Sequence, residues 1–178
     1  MAATNFFTNF KKVLYNGRLA TNIMNRAKLT DLNVITSSKV YFPYLIKEGE
    51  RPEDIAESYY GATNYFWIIL LANNIKNIYE DWPKTSDVLN DYIAEKYGSI
   101  DYAQRTVHHY EDSLGNYINS TEEIVEQDPN IDYWDGTELR KISIFDYEVD
   151  KNDKKRIINL IRSDYTNQLL TEFQNIFK

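Results

Sequence analysis

Residues 41–83 read YFPYLIKEGERPEDIAESYYGATNYFWIILLANNIKNIYEDWP, and the reading of this stretch decides the fold. It divides into an extended lead-in, two short helices joined by a glycine turn, and an aromatic-proline exit. Pro52 suits the first residue of a helix, where its missing N–H costs nothing and its fixed φ fits the turn. Glu53 and Asp54 add negative charge to that first turn, which the helix dipole favours. Ile55, Ala56 and Tyr59 share one face at helical spacing, and Gly61 supplies a left-handed stop. Farther on, Thr63 or Asn64 can cap a second helix and Asn73-Asn74 can end it. The apolar run between them, Tyr65 to Ala72, is by composition equally a buried strand, and periodicity does not decide.

The block Glu48 to Gly61, followed by an apolar run and an asparagine turn, resembles the LysM module. That family's fold is β-α-α-β, which implies that Tyr65 to Ala72 is its second helix. A longer set of blocks in order resembles the LysM-like baseplate wedge protein family of T-even-type contractile-tailed phages. The blocks are Ala20 to Leu32, Tyr41 to Tyr44, Glu48 to Gly61, Ile68 to Asn74, Tyr79 to Pro83, Asp91 to Ser99, His108 to Asp112 and Asp146 to Val149. They span most of the chain.

At 178 residues the chain can bury a real core. It has no cysteine, which excludes disulfides, thiol catalysis and cysteine-ligated zinc and fits a reducing compartment. The start MAATNFFTNFKKVLYNG lacks the basic-then-apolar layout of a secretory leader. No apolar run approaches the roughly 20 residues needed to cross a bilayer. A soluble chain without membrane contact is therefore expected. The net charge of −7 is unevenly spread: +5 over residues 1–40, −14 over 41–139 and +2 over 140–178. An acidic middle argues against nucleic acid, which needs a basic footprint. The basic start equally suits a head-to-tail neighbour with an acidic middle. Fifteen tyrosines offer apolar area with a hydroxyl, which suits surfaces covered only when a partner arrives as well as a small core with wet edges.

Outward from the central stretch, Lys11 to Tyr15 reads as a strand and Asn16-Gly17 as a type I′ turn. Leu19 to Leu32 has no clean period, and such a terminal arm is often ordered only by a neighbour. Past the central stretch, Thr85 or Ser86 caps a helix with the stripe Val88, Leu89, Tyr92, Ile93, Tyr97, stopped by Gly98. Ser99 caps a short helical turn. Thr106 to Asn119 reads as two strands around Gly115-Asn116, and residues 120–139 as a long acidic surface loop. Lys141 to Val149 alternates like a strand, Asp150 to Asp153 reads as a turn, and Arg156 to Ile161 as the returning strand. Ser163 or Asp164 then caps an amphipathic helix with the stripe Tyr165, Leu169, Phe173 and Ile176 or Phe177. The expected class is α+β: a small LysM-like β-α-α-β core with an appended helix, β-hairpins and a C-terminal amphipathic helix. Its expected segments are a basic arm (1–40), a LysM-like unit (41–84), helix, hairpin and acidic loop (85–139), and hairpin with C-terminal helix (140–178), together one structural unit.

Enzyme motifs are missing from the sequence. The six glycines lie at least twelve residues apart, which excludes GxGxxG, the P-loop and the GxSxG elbow. His108 and His109 are the only histidines, and neighbours on a strand point to opposite faces, away from a shared metal. Asp128 to Leu139 fails as a calcium loop, with Tyr133 where glycine belongs and Leu139 where glutamate belongs. Nothing marks a carboxylate pair for glycoside hydrolysis. No catalytic, cofactor-binding or metal-ligating residue is singled out, and no cofactor is expected.

The resemblance implies a structural subunit of the virion's tail baseplate, assembled in the host cytoplasm. It implies binding to other wedge proteins, a role in joining adjacent wedges around the central hub, and six copies per particle. The contact candidates are Tyr165, Leu169, Phe173, Ile176 and Phe177 on the last helix, with Lys11, Lys12 and Arg18 on the arm. The competing reading is a LysM-type peptidoglycan-binding module of a cell-wall-associated or lytic protein. Wall-binding modules usually recur with Ser/Thr/Asn-rich linkers; here there is one copy without them, so glycan binding is not expected. A third reading is a cytoplasmic LysM-bearing adaptor outside phages.

Overall fold

Local rules set the first turn: Asn16 and Gly17 take φ of 49° and 74°, the I′ geometry joining β1 (Lys12–Tyr15) to β2 (Arg18–Thr21). The computed structural model describes residues 6–22, 38–118, 125–128, 131–134 and 137–176. Next come β3 (Tyr41–Leu45), α1 (Pro52–Tyr60), α2 (Phe66–Ala72) and the single turn α3 (Ile78–Asp81). They are followed by α4 (Ser86–Tyr97), α5 (Ile100–Arg105), β4 (Val107–Glu111), β5 (Tyr117–Ile118), β6 (Val125–Asp128), β7 (Ile131–Trp134) and β8 (Thr137–Ser143). The chain ends with α6 (Ile144–Lys154), β9 (Ile157–Ile161) and α7 (Thr166–Ile176). The class is α+β, as expected. The contacts gather into two compact units, one of residues 1–83 and 156–178, the other of residues 84–155.

In the first unit, Pro52 opens α1 as expected, and Gly61 closes it at φ 78°. A 3-10 turn at Thr63–Tyr65 leads into α2, so the ambiguous apolar run is a helix. The aromatic-proline exit is helical at α3, and Trp82 is pinned by its indole N–H donating to the Glu50 carbonyl at 2.9 Å. The partner of β3 comes from far along the chain. Antiparallel β9 pairs with it, Phe42 opposite Leu160 and Tyr44 opposite Ile158. Ile158 and Leu160 face a core of Ile46, Ile55, Ala56, Ile69 and Trp82. A second cluster joins Phe10, Val40, Trp67, Ile68, Ile161, Leu169 and Phe173. Phe6 and Phe10 belong to this packing, the Phe6 ring lying 5.4 Å from both Trp67 and Phe173. The start of the arm is thus held by its own unit. The remainder of the expectation for Leu19 to Leu32, beyond Asn22, lies outside the described residues.

The outer edge of β9 is closed by side chains. The Asn73 amide donates to the Asn159 carbonyl at 2.9 Å and accepts from the Asn159 N–H at 2.8 Å. The Tyr60 hydroxyl donates to the Ile161 carbonyl at 2.8 Å, and burial pushes its pKa up. Two side chains thereby satisfy backbone groups that an open edge would offer to a stranger.

In the second unit, α4 ends at Gly98 (φ 92°) and Ser99 caps α5, both as expected. Its apolar core is small: Leu89, Ile93, Ala103 and Ile144, with Tyr92, Tyr97, Phe145 and Val149 against it. Two expectations fail here. Residues 125–128, 131–134 and 137–143 are strands of a sheet ordered β5-β4-β8-β7-β6, where a long loop was expected for 120–139. Acidic residues tolerate a strand with one wet face, so charge alone does not exclude a sheet. The strand pair over Lys141 to Ile161 is also corrected: only Lys141 to Ser143 continue β8, and Ile144–Lys154 is helical. Ser143 caps that helix, accepting from the Asp146 N–H at 3.0 Å. Ile144, Glu148 and Asn152 are its buried residues, one helical turn apart. Two of the three are polar, which hid the 3.6-residue period from a search for apolar stripes.

Candidate functional site

Lys11, Lys12 and Arg18 lie on or beside the β1–β2 ribbon, and every residue from Lys11 to Thr21 is exposed. Leu14 and Leu19 face each other across the strands at 73% and 71% exposure, and Tyr15 and Val13 are also open. The ribbon therefore shows three cations and an uncovered apolar pair to solvent.

The candidates on α7 fall elsewhere. Leu169 and Phe173 are buried, Phe173 with its ring 4.6 Å from Trp67, and half-buried Tyr165 packs against the same cluster. These three fasten the helix to its own unit, so their apolar surface is already spent. Of Ile176 the structure describes only the backbone, at the end of α7, and Phe177 lies outside the described residues. The arm candidates sit together on one ribbon; Tyr165, Leu169 and Phe173 lie instead in or against the apolar cluster.

Sequence reasoning missed three polar features. Glu148, 3% exposed, accepts hydrogen bonds from Lys96 Nζ and from the Tyr97 hydroxyl, each at 2.7 Å. Burial alone would raise its pKa, but the bonds from Lys96 and Tyr97 outweigh it and hold the carboxylate below its usual range. The Glu148 bond in turn pushes the Lys96 ammonium up. Second, the Asn152 amide accepts from the Lys84 N–H at 2.8 Å and donates to the Lys84 carbonyl at 3.0 Å. Third, the two histidines do not point apart. A register shift between Val107 and His109 turns the rings toward one another, with Nδ1 atoms 2.9 Å apart and planes at 85°. His108 stacks on Tyr147 at 3.8 Å, and burial, with His109 beside it, lowers its pKa. Even so, no group of three or more metal-ligating side chains forms among the described residues. No described helix is long and apolar enough to cross a membrane. The sequence signals for these features were the adjacent histidines, and a glutamate and an asparagine four residues apart that become legible once helix α6 is known.

Apolar cores that fasten each unit, with a cationic and apolar ribbon exposed among the described residues, are features of a protein that assembles with others. The chain belongs to the base plate wedge protein 53 family, whose model matches residues 5–141. It is a structural component of the virion's tail baseplate. Among its relatives is the baseplate wedge protein gp53 of Enterobacteria phage T4. The two are 21% identical over 192 residues, which takes in 97% of this chain and 95% of that protein.

Proposed function

We propose that the chain is an adhesive subunit of the baseplate wedge. It binds other wedge proteins, helps to join adjacent wedges around the central hub, is present in six copies per particle and catalyses no reaction. The observation that carries this reading is the family match across residues 5–141, which spans the exposed ribbon and most of both units. The ribbon's cations and apolar pair suit a contact in which charge sets register and apolar area supplies affinity. Lys11, Lys12 and Arg18 remain its contact residues, with Ile176 and Phe177 the second pair to look at.

The reading includes a LysM-like core. The order β3, α1, α2, β9 supports it, with β9 antiparallel to β3 and contributed only after residues 84–155 have intervened. A peptidoglycan pull-down addresses the alternative of a wall-binding module. Saturable wall binding by the whole chain would favour that alternative over the wedge.

Gene deletion with complementation tests the main reading. Tails lacking the chain are expected to lack functional baseplates, and quantitative mass spectrometry of rescued particles should return it in a multiple of six. Complete, infectious tails without this polypeptide would sink the reading.

A further inference from the structure

The β1–β2 ribbon is built in a way that an isolated protein does not reward. A two-stranded hairpin is marginal in water unless a face or an edge is covered. Here each strand pairs only with the other among the described residues, and both faces are open. Elsewhere in the same unit the outer edge of β9 is closed by Asn73 and Tyr60. Edge closure is therefore a device this chain uses, and among the described residues no side chain closes the ribbon. Its four-residue strands carry Lys12 and Arg18, with Lys11 adjoining and no acidic residue from 11 to 21.

A matching edge exists in the second unit. There β6, also four residues long, is the outer strand of the five-stranded sheet. Together β6 and β7 contain Glu126, Asp128 and Asp132 and no basic residue. Length, edge geometry and opposite charge thus agree.

We propose that the β1–β2 ribbon of one copy adds to the outer edge of β6 in a second copy of this chain, extending that sheet by two strands. Backbone hydrogen bonds along the joined edges supply affinity, as in strand addition generally. The Leu14–Leu19 pair then continues one face of the widened sheet and gains side-chain neighbours on it, and Lys11, Lys12 and Arg18 meet the acidic strands and fix the register. Because the two surfaces differ, the contact is heterologous, and repeated around an axis it closes a ring. The inference deepens the wedge reading, in which several copies share one baseplate.

The absence of cysteine makes the test direct. Full-length Leu14→Cys protein is mixed with full-length Gln127→Cys protein and oxidised. Docking raises the local thiol concentration, so mixed disulfide should exceed by about tenfold or more that from Leu14→Cys mixed with Tyr79→Cys, an exposed position in the first unit. Raising salt from about 0.1 M to about 1 M shortens the screening length from about 10 Å to about 3 Å and should suppress the excess. Lys12→Glu with Arg18→Glu should abolish it, and Glu126→Lys with Asp128→Lys in the partner copy should restore it. The four positions of that swap lie on β1, β2 and β6, and circular dichroism before mixing confirms the fold. Equal yields with Gln127→Cys and Tyr79→Cys would overturn the proposal. So would particles in which Leu14→Cys links to a different tail protein, although the wedge reading would then stand. Loss of the wedge reading itself shows in the deletion experiment, whether or not copies associate.

Discussion

The two units of this chain are stabilised by different chemistry. Residues 1–83 and 156–178 carry twelve basic and ten acidic residues, a net of +2; residues 84–155 carry eight and seventeen, a net of −9. The first unit rests on two clusters of buried aliphatic and aromatic side chains. The second has a smaller apolar core and completes it with Glu148 and Asn152. Both units nonetheless use one device, an asparagine amide that clamps the N–H and C=O of a single distant residue, Asn73 on Asn159 and Asn152 on Lys84. The lesson is that a unit short of apolar area closes its core with hydrogen bonds, and so becomes sensitive to protons.

Five substitutions probe that contrast, from the largest expected effect down. Phe173→Ala removes a ring with no exposed surface from the first unit and should cost about 3–5 kcal/mol in chemical denaturation. A loss below about 1 kcal/mol would mean the core relaxes around the gap, against the dense packing assumed. Glu148→Gln should cost about 2–3 kcal/mol in the second unit, because Lys96 and Tyr97 lose the charge they are bonded to.

The same carboxylate sets a pH dependence. Its folded pKa is depressed, so its contribution is present above the unfolded value of about 4.3 and fades as pH falls through the folded value. Lys96 is raised, so its contribution holds below about 10.4 and is lost as pH climbs through the folded value. His108 is lowered, so the unfolded chain binds protons first, and stability declines as pH drops below about 6.5. Amide exchange against pH should therefore show the second unit opening on acidification before the first. Glu148→Gln should flatten the acid step that lies below the unfolded value of about 4.3 and, by removing a charge that holds the His108 pKa up, deepen the His108 step.

Asn152→Ala and Asn73→Ala compare the two clamps. Asn152 is buried, so its loss strands two backbone groups of Lys84 and should cost about 1–3 kcal/mol. Asn73 is only half-buried and water can replace it, so about 0.5–1.5 kcal/mol is expected. Its stronger signature should be concentration-dependent light scattering from the reopened β9 edge. Equal costs for the two would break the comparison. The smallest effect belongs to Gly17→Ala, at φ 74°. It should weaken the hairpin locally by about 1 kcal/mol, visible in amide exchange of Lys12–Thr21 and absent from the global midpoint.

Much of this molecule was readable before its structure. The I′ turn at Asn16-Gly17, the proline start of α1, the glycine stops at Gly61 and Gly98, and the Ser99 cap each depend on a few adjacent residues. The outward character of Lys11, Lys12 and Arg18 was equally plain from charge. By contrast, Leu169 and Phe173 formed a correct stripe whose destination was not in the stripe: an apolar face says that it will be buried, not by whom. Helix α6 was misread because its inward positions include a glutamate and an asparagine, and only Lys96, Tyr97 and Lys84 make those positions inward.

By itself, then, the sequence determined the Asn16-Gly17 turn, the proline start and glycine stops, the Ser99 cap and the family, since each is carried by residues near one another in the chain or by blocks in fixed order. Tertiary structure alone decided that β3 finds its partner in β9, that acidic residues near 125–143 join a sheet, and that the histidine rings meet. The physical reason is the same in each case. A strand's hydrogen bonds and a buried charge's partner are supplied from outside the segment, and no local pattern encodes which distant groups will arrive.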